Sequence, residues 1–175
     1  MANLKSIHDV VWDADEKTFI TQDSCHLKLH NGEYFNTHHF FTDLGVGDMA
    51  ELYVLAPNST VRVHAAAYFT STGKAQFSVR RSATITASGT LLANQNMNHN
   101  SLLTSTVIAK SSATITASGT EMSIVSAGGE GFKSTIGGAS GGGPGRILKQ
   151  GTVYIFRGEA KAASSDISIE LQWHD

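Results

Sequence analysis

The nine residues Ser82 to Thr90, Ser-Ala-Thr-Ile-Thr-Ala-Ser-Gly-Thr, recur unchanged at Ser112 to Thr120. Thr and Ile alternating with small residues favour a pleated strand, and Ser-Gly then breaks it with a turn. Each copy therefore reads as a strand ending in a tight bend, a unit of scaffold with no catalytic residue pattern in it. A fold that uses this unit twice is committed to short strands and turns.

Period-two patterning extends that reading along the chain. Residues 60–69 place Val61, Val63, Ala65, Ala67 and Phe69 on one face against Arg62, His64 and Tyr68 on the other, as a half-buried antiparallel strand does. The turn at Ser71 to Gly73 leads into 74–80, where Ala75, Phe77 and Val79 share a face, so the two strands are expected to form a hairpin. Met49 to Ala56 predicts a strand ended by the Pro57-Asn58-Ser59 turn, in which Pro fixes φ. Ile167, Ile169, Leu171 and Trp173 alternate with Ser168, Glu170 and Gln172 in the clearest strand of all. Val153-Tyr154-Ile155-Phe156 is apolar on both faces, which predicts cover on two sides and points to another subunit on one of them. Adding 104–109, the two repeat strands and 121–125 gives about nine to eleven short strands and no amphipathic helix, the pattern of a sandwich or jelly roll.

Residues 127–145 are too glycine-dense to bury side chains and predict a loop or arm, ordered against a neighbouring molecule or mobile. In the opening third, Val10 to Trp12 and Lys17 to Thr21 suggest short strands, and 32–41 is aromatic-rich. Residues 1–48 are taken as an N-terminal arm or added strands, and 49–175 as the sandwich domain.

Composition excludes several function classes. Thirteen basic and fifteen acidic side chains, 16% of the chain in all, leave a net charge of −2 and no basic face for a phosphate backbone, so nucleic acid is not an expected partner. No apolar run approaches a membrane span and the first residues lack a signal-peptide core, so no membrane partner is expected. Cys25 is the single cysteine, which rules out an internal disulfide and a cysteine-based zinc cluster, and reads as a buried, inert thiol.

The chemical constellations are thin. Eight histidines include Cys25-His26 with His30 and the adjacent His38-His39, but no set of three or four ligands converges in the spacing, and neighbours on a strand point to opposite faces. No metal or cofactor is expected. Gly131-Phe132-Lys133-Ser134-Thr135 has Phe where a phosphate loop needs Gly before its Lys. Ser140 lies in a glycine tract that cannot hold a nucleophile, and Asp9, Asp13, Asp15 and Glu16 read as a solvated stretch. No enzyme is expected.

Asn94, Asn96, Asn98 and Asn100 share one face of an extended run, with Gln95, Met97 and His99 on the other. Each amide can donate and accept, so the row is expected to be buried or interfacial, bonding a second row or backbone groups of a neighbouring chain. Together with the second repeat, Gly128 to Gly145, Arg146-Ile147-Leu148-Lys149, Val153 to Phe156 and Ile167 to Trp173, this order resembles a family of tailed-bacteriophage capsid decoration, or head cement, proteins. The resemblance covers residues 49–175. Family members usually carry Arg between the asparagines, where this chain has Gln95, Met97 and His99.

The resemblance implies a small β-rich protein of the decoration type on the outside of an assembled phage head, with the major capsid protein for a partner. It implies a chain made in the host cytoplasm and carried on the virion exterior. The expected architecture is an all-β sandwich of jelly-roll type, and the two-faced strand at Val153 and the Gly-rich arm lead us to expect a homotrimer. Candidate subunit or capsid contacts are Asn94, Asn96, Asn98, Asn100, Tyr154, Phe156, Gly137, Gly141 and Arg146. The alternative is a tail- or head-fibre module that binds host glycans on an aromatic shelf of Tyr34, Phe35, Phe40 and Phe41.

Overall fold

The computed structural model describes residues 9–13, 18–22, 24–60, 62–86, 88–127, 134–137 and 145–174. Within them the regular structure is mostly β-strand, as the alternation predicts, with one short helix. Strands β1 (Asp9–Asp13) and β2 (Thr18–Gln22) form a two-stranded antiparallel sheet. After the helix α1 (Ser24–His30), two larger antiparallel sheets make up the body.

The first sheet runs in the order β12 (Thr120–Ala127), β6 (Ala75–Arg81), β15 (Val153–Ala160), β4 (Met49–Leu55), β10 (Ile108–Ser111), β8 (Thr90–Leu91). The second runs β13 (Ser134–Gly137), β5 (His64–Ser71), β16 (Ser165–His174), β3 (Tyr34–Leu44), β9 (Gln95–Asn96), with β14 (Arg146–Ile147) also on β5. Their inner faces share one core. Leu52 and Val54 of β4, Phe77 and Val79 of β6 and Tyr154 and Phe156 of β15 meet Phe35 of β3, Phe69 of β5 and Ile167, Ile169, Leu171 and Trp173 of β16. Each such side chain contributes about 1.5–3 kcal/mol by leaving water. The strict alternation of β16, buried at every second residue from Ser165 to Trp173, follows from one face on this core.

The expected hairpin at Ser71 to Gly73 does not form. Strands β5 and β6 lie in different sheets, and their turn carries the chain from one layer to the other. The reason is that both strands point their apolar faces inward, so Phe69 and Phe77 stack across the core with ring centroids 4.9 Å apart instead of side by side. The turns β3 to β4 and β15 to β16 cross in the same way, and the three are tied together. Gly47 N donates to Ala160 O (2.8 Å), Lys161 N to Lys74 O (2.8 Å) and Thr72 N to Asp166 O (3.0 Å).

Residues 34–44 do not stand apart from the sandwich: β3 lies inside the second sheet and pairs with β16 from Tyr34↔His174 to Leu44↔Ser165. Nor is the glycine-rich stretch wholly loop, since Ser134–Gly137 pairs with Ser71 to Tyr68 of β5.

The repeat explains the two-faced strand. Its copies supply β7 (Thr84–Ile85) and β11 (Ile115–Ala117), which pair with each other, Ile85 opposite Ile115, the same position of each copy. Ala83 and Ala113 are buried with Tyr53 and Ile155 on the outer face of the first sheet, and Ile85, Ile115 and Val153 pack against them. The second cover over β15 is therefore the chain's own repeat, where the sequence pointed to another subunit. The copies interlock through their glycines. A Cβ on Gly89 (φ +108°) would lie 2.8 Å from Ala113 Cβ and 2.9 Å from Ser111 O, and one on Gly119 (φ +67°) would lie 2.3 Å from Arg81 O and 2.7 Å from Ala83 N. Each copy's Gly thus sits on the start of the other copy.

Candidate functional site

The asparagine run is not a long strand. Only Gln95 and Asn96 pair, with Asn36 and Phe35 of β3, and the rest is a loop fastened by its own amides. Asn94 Nδ2 donates to Val107 O (2.6 Å), Asn96 Nδ2 to Gly32 O (2.7 Å) and Leu103 O (3.0 Å), and Asn98 Nδ2 to His30 O (2.8 Å). Asn96 Oδ1 accepts from Asn98 N and Asn98 Oδ1 from Asn100 N, two local turns of the kind asparagine builds. The expected alternation holds, with Asn94, Asn96 and Asn98 half-buried and Gln95, Met97 and His99 exposed. The backbone groups that the amides cap belong to the same chain, however, not to a neighbour.

These bonds fasten the loop to the end of α1. That helix, absent from the sequence reading, closes in a Schellman turn: Glu33 N donates to Lys28 O (2.9 Å) and Gly32 N to Leu29 O (3.0 Å), with Gly32 at φ +73°. Lys28 and His30 in its last turn complement the helix dipole. The signal was present as basic residues followed by Asn31-Gly32. A Cβ on Gly32 would lie 2.1 Å from Ser101 Oγ, so the turn and the loop need a glycine where they meet.

The other candidates separate. Tyr154 and Phe156 are buried in the core, and Tyr154 Oη accepts from Lys149 N (2.8 Å), so neither presents a surface to a second chain. Arg146 reaches across the sandwich edge, its Nη2 donating to Ser123 Oγ of β12 (2.8 Å). Gly137 ends β13 opposite Tyr68. Gly141, Ser140, Gly131 to Lys133, Asp15 and Glu16 lie outside the described residues. The aromatic shelf is not assembled, because strand alternation splits it: Phe35 is in the core, Phe41 packs against the core from its margin, Tyr34 is half-buried near His174, and Phe40 alone is exposed.

Two features of the outer surface were not singled out in the sequence. On the outer face of the first sheet, Arg157 Nε donates to Glu51 Oε1 (2.6 Å) and the Tyr53 hydroxyl donates to the other oxygen of that carboxylate. Burial, then the bond to Glu51, pushes the Tyr53 phenol well up from its ordinary range. Beside this network a half-open apolar hollow of about 320 Å³ remains between the repeat and the sheet, lined by Tyr53, Leu55, Ile85, Ile108 and Val153 with Thr86 and Lys110 at its polar end.

The second feature is β12, which pairs with β6 and is the last strand of its sheet among the described residues. Met122, Ile124 and Val125 are 40%, 50% and 48% exposed on it. A strand at a sheet edge that carries exposed apolar side chains is a template for association, which soluble monomers usually blunt.

No family model, no curated protein and no solved structure matches the chain. The functional reading therefore rests on the residues themselves. Among the described residues no three His, Cys, Asp or Glu side chains converge, and no helix is long and apolar enough to cross a membrane.

Proposed function

We propose that this chain is a non-enzymatic structural protein of a phage virion, a decoration protein that binds the outside of the assembled head and stabilises it. The observation that carries the reading is the apolar edge at β12, a surface suited to adhesion between protein subunits. The resemblance of residues 49–175 to head cement proteins supplies the partner, the major capsid protein, and the location, the capsid exterior.

The fold inferred with it is a jelly roll, and the strand order supports that inference. Numbered one to eight in chain order, β3, β4, β5, β6, β12, β13, β15 and β16 pair as one-eight-three-six in one sheet and two-seven-four-five in the other. That is the order of two nested Greek keys. We infer a homotrimer as well. Its support is the β12 edge, since the two-faced strand β15 is covered from within.

The mechanism is multivalent. Weak contacts repeated over many copies bridge neighbouring coat proteins, and a ligand that binds the assembled shell better than its free parts stabilises the shell. The test is to add purified protein to heads that lack it. Co-sedimentation and a higher temperature of DNA release are expected, both reduced by Ile124→Glu. Protein left in the supernatant, or immunogold label on tails, overturns the reading. Light scattering should give three chains of 18.6 kDa per particle; a monomer at micromolar concentration removes the trimer.

A further inference from the structure

We propose that His26 and His30 form a bidentate site for a divalent transition-metal ion of the Cu²⁺ or Ni²⁺ class, completed by water. The two side chains are one turn apart on α1, both are exposed, and their Nε2 atoms lie 2.9 Å apart. With metal–nitrogen bonds of about 2.0–2.1 Å, that separation subtends an angle of about 90° at a shared ion. A right angle is the cis geometry of tetragonal and octahedral ions. A tetrahedral zinc site needs the nitrogens about 3.3 Å apart.

The pair is held in place before any ion arrives. The helix carrying it is closed by the Schellman turn at Gly32, and Asn98 of the fastened loop bonds the carbonyl of His30 itself. Beside His26 a hollow of about 280 Å³ brings Met97 and Cys25 near the same helix face, next to Tyr34 and Gln172. Without an ion, one imidazole can donate its Nε2 proton to the other. With both rings neutral and the donor ring turned to its Nδ1–H tautomer, which the acceptor already has, both Nε2 atoms carry lone pairs for a cation that takes the place of the shared proton. No third protein ligand converges among the described residues, so the remaining positions stay open to water or to donors on a surface that the protein meets.

The test uses the full-length chain without a histidine tag, titrated with Cu²⁺ or Ni²⁺ alone. One ion per chain is expected. His26→Ala and His30→Ala should each weaken it about tenfold or more, because the second ligand no longer binds at high effective concentration. His38→Ala, on an exposed strand position, should leave it unchanged. The Cu²⁺ paramagnetic resonance spectrum should show two nitrogen ligands in the wild type and fewer in either variant. Unchanged melting temperatures in the absence of metal confirm that the variants fold. Binding that survives His26→Ala and His30→Ala, or that Cys25→Ser abolishes while His30→Ala does not, overturns the proposal.

Discussion

Gly119→Ala tests the interlocking of the repeat. At φ +67° an alanine pays about 1–2 kcal/mol for the left-handed backbone. Its Cβ also arrives 2.3 Å from Arg81 O and 2.7 Å from Ala83 N, where both obstacles are backbone and cannot rotate away. Arg81 is held in β6 by pairing with Tyr154 on one side and Thr120 on the other, so relief requires moving the sheet by about 1 Å, an overpacking cost of about 1–3 kcal/mol. The sum is about 2–5 kcal/mol, a fall in melting temperature of about 4–20 °C for a chain of this size. Gly47→Ala is the internal control: its φ is +90° but nothing lies within 4 Å of the added carbon, so only the backbone strain of about 1–2 kcal/mol applies. Thermal and urea unfolding of both variants, with Gly89→Ala expected to resemble Gly119→Ala, measures the difference. Equal losses at Gly119 and Gly47 refute the close approach of the two copies.

Asn96→Ala removes the donor to two carbonyls and the acceptor for Asn98 N, and should cost about 2–3 kcal/mol in urea unfolding; Asn100→Ala, at an exposed side chain, should stay within about 0.5 kcal/mol. Glu51→Ala leaves the Arg157 guanidinium without its carboxylate where both side chains are only about 15% exposed, and should cost about 1–3 kcal/mol, with Glu51→Leu combined with Arg157→Met recovering most of it. Burial first, then His64 and Lys28, hold His174 below its ordinary 6.5, against a smaller opposing pull from Glu33, and burial then His38 do the same for His39. The unfolded chain therefore takes up protons before the folded one, so stability is full above about 6.5 and falls as pH drops through and below that value. His174→Phe, which keeps a ring over His64, should flatten part of the decline in urea midpoint between pH 7 and pH 5.

What the sequence made legible is what alternation encodes. β16, β4 and the inward faces of β5 and β6 could be read because each buries one face on a core, and period two records that directly. Alternation says which side faces in, but it does not say against which strand. Phe69 and Phe77 have the same pattern whether they sit side by side or across the core, so the turn after Ser71 was open to a hairpin reading. The same limit applies at Val153 to Phe156, where two apolar faces announce two covers without naming them. The nine-residue repeat held the answer, since Ile85 and Ile115 have a buried surface to offer, but only the fold brings them over Tyr53 and Ile155. The asparagines were legible as hydrogen-bonding groups on one face. Their partners were not, because His30 and Gly32 lie more than sixty residues away. Helix α1 is short, and its strongest mark is the Asn31-Gly32 stop, which alternation does not register.

The last two strands of the described chain occupy the middle of the two sheets, β15 between β6 and β4, β16 between β5 and β3. During synthesis, β3, β4, β5 and β6 emerge from the ribosome with their central partner still missing, and neither layer is continuous until residues 153–174 have been made. Folding is accordingly a late event with high contact order, slow for its size, and a nascent chain stalled before that point exposes several unpaired edges at once.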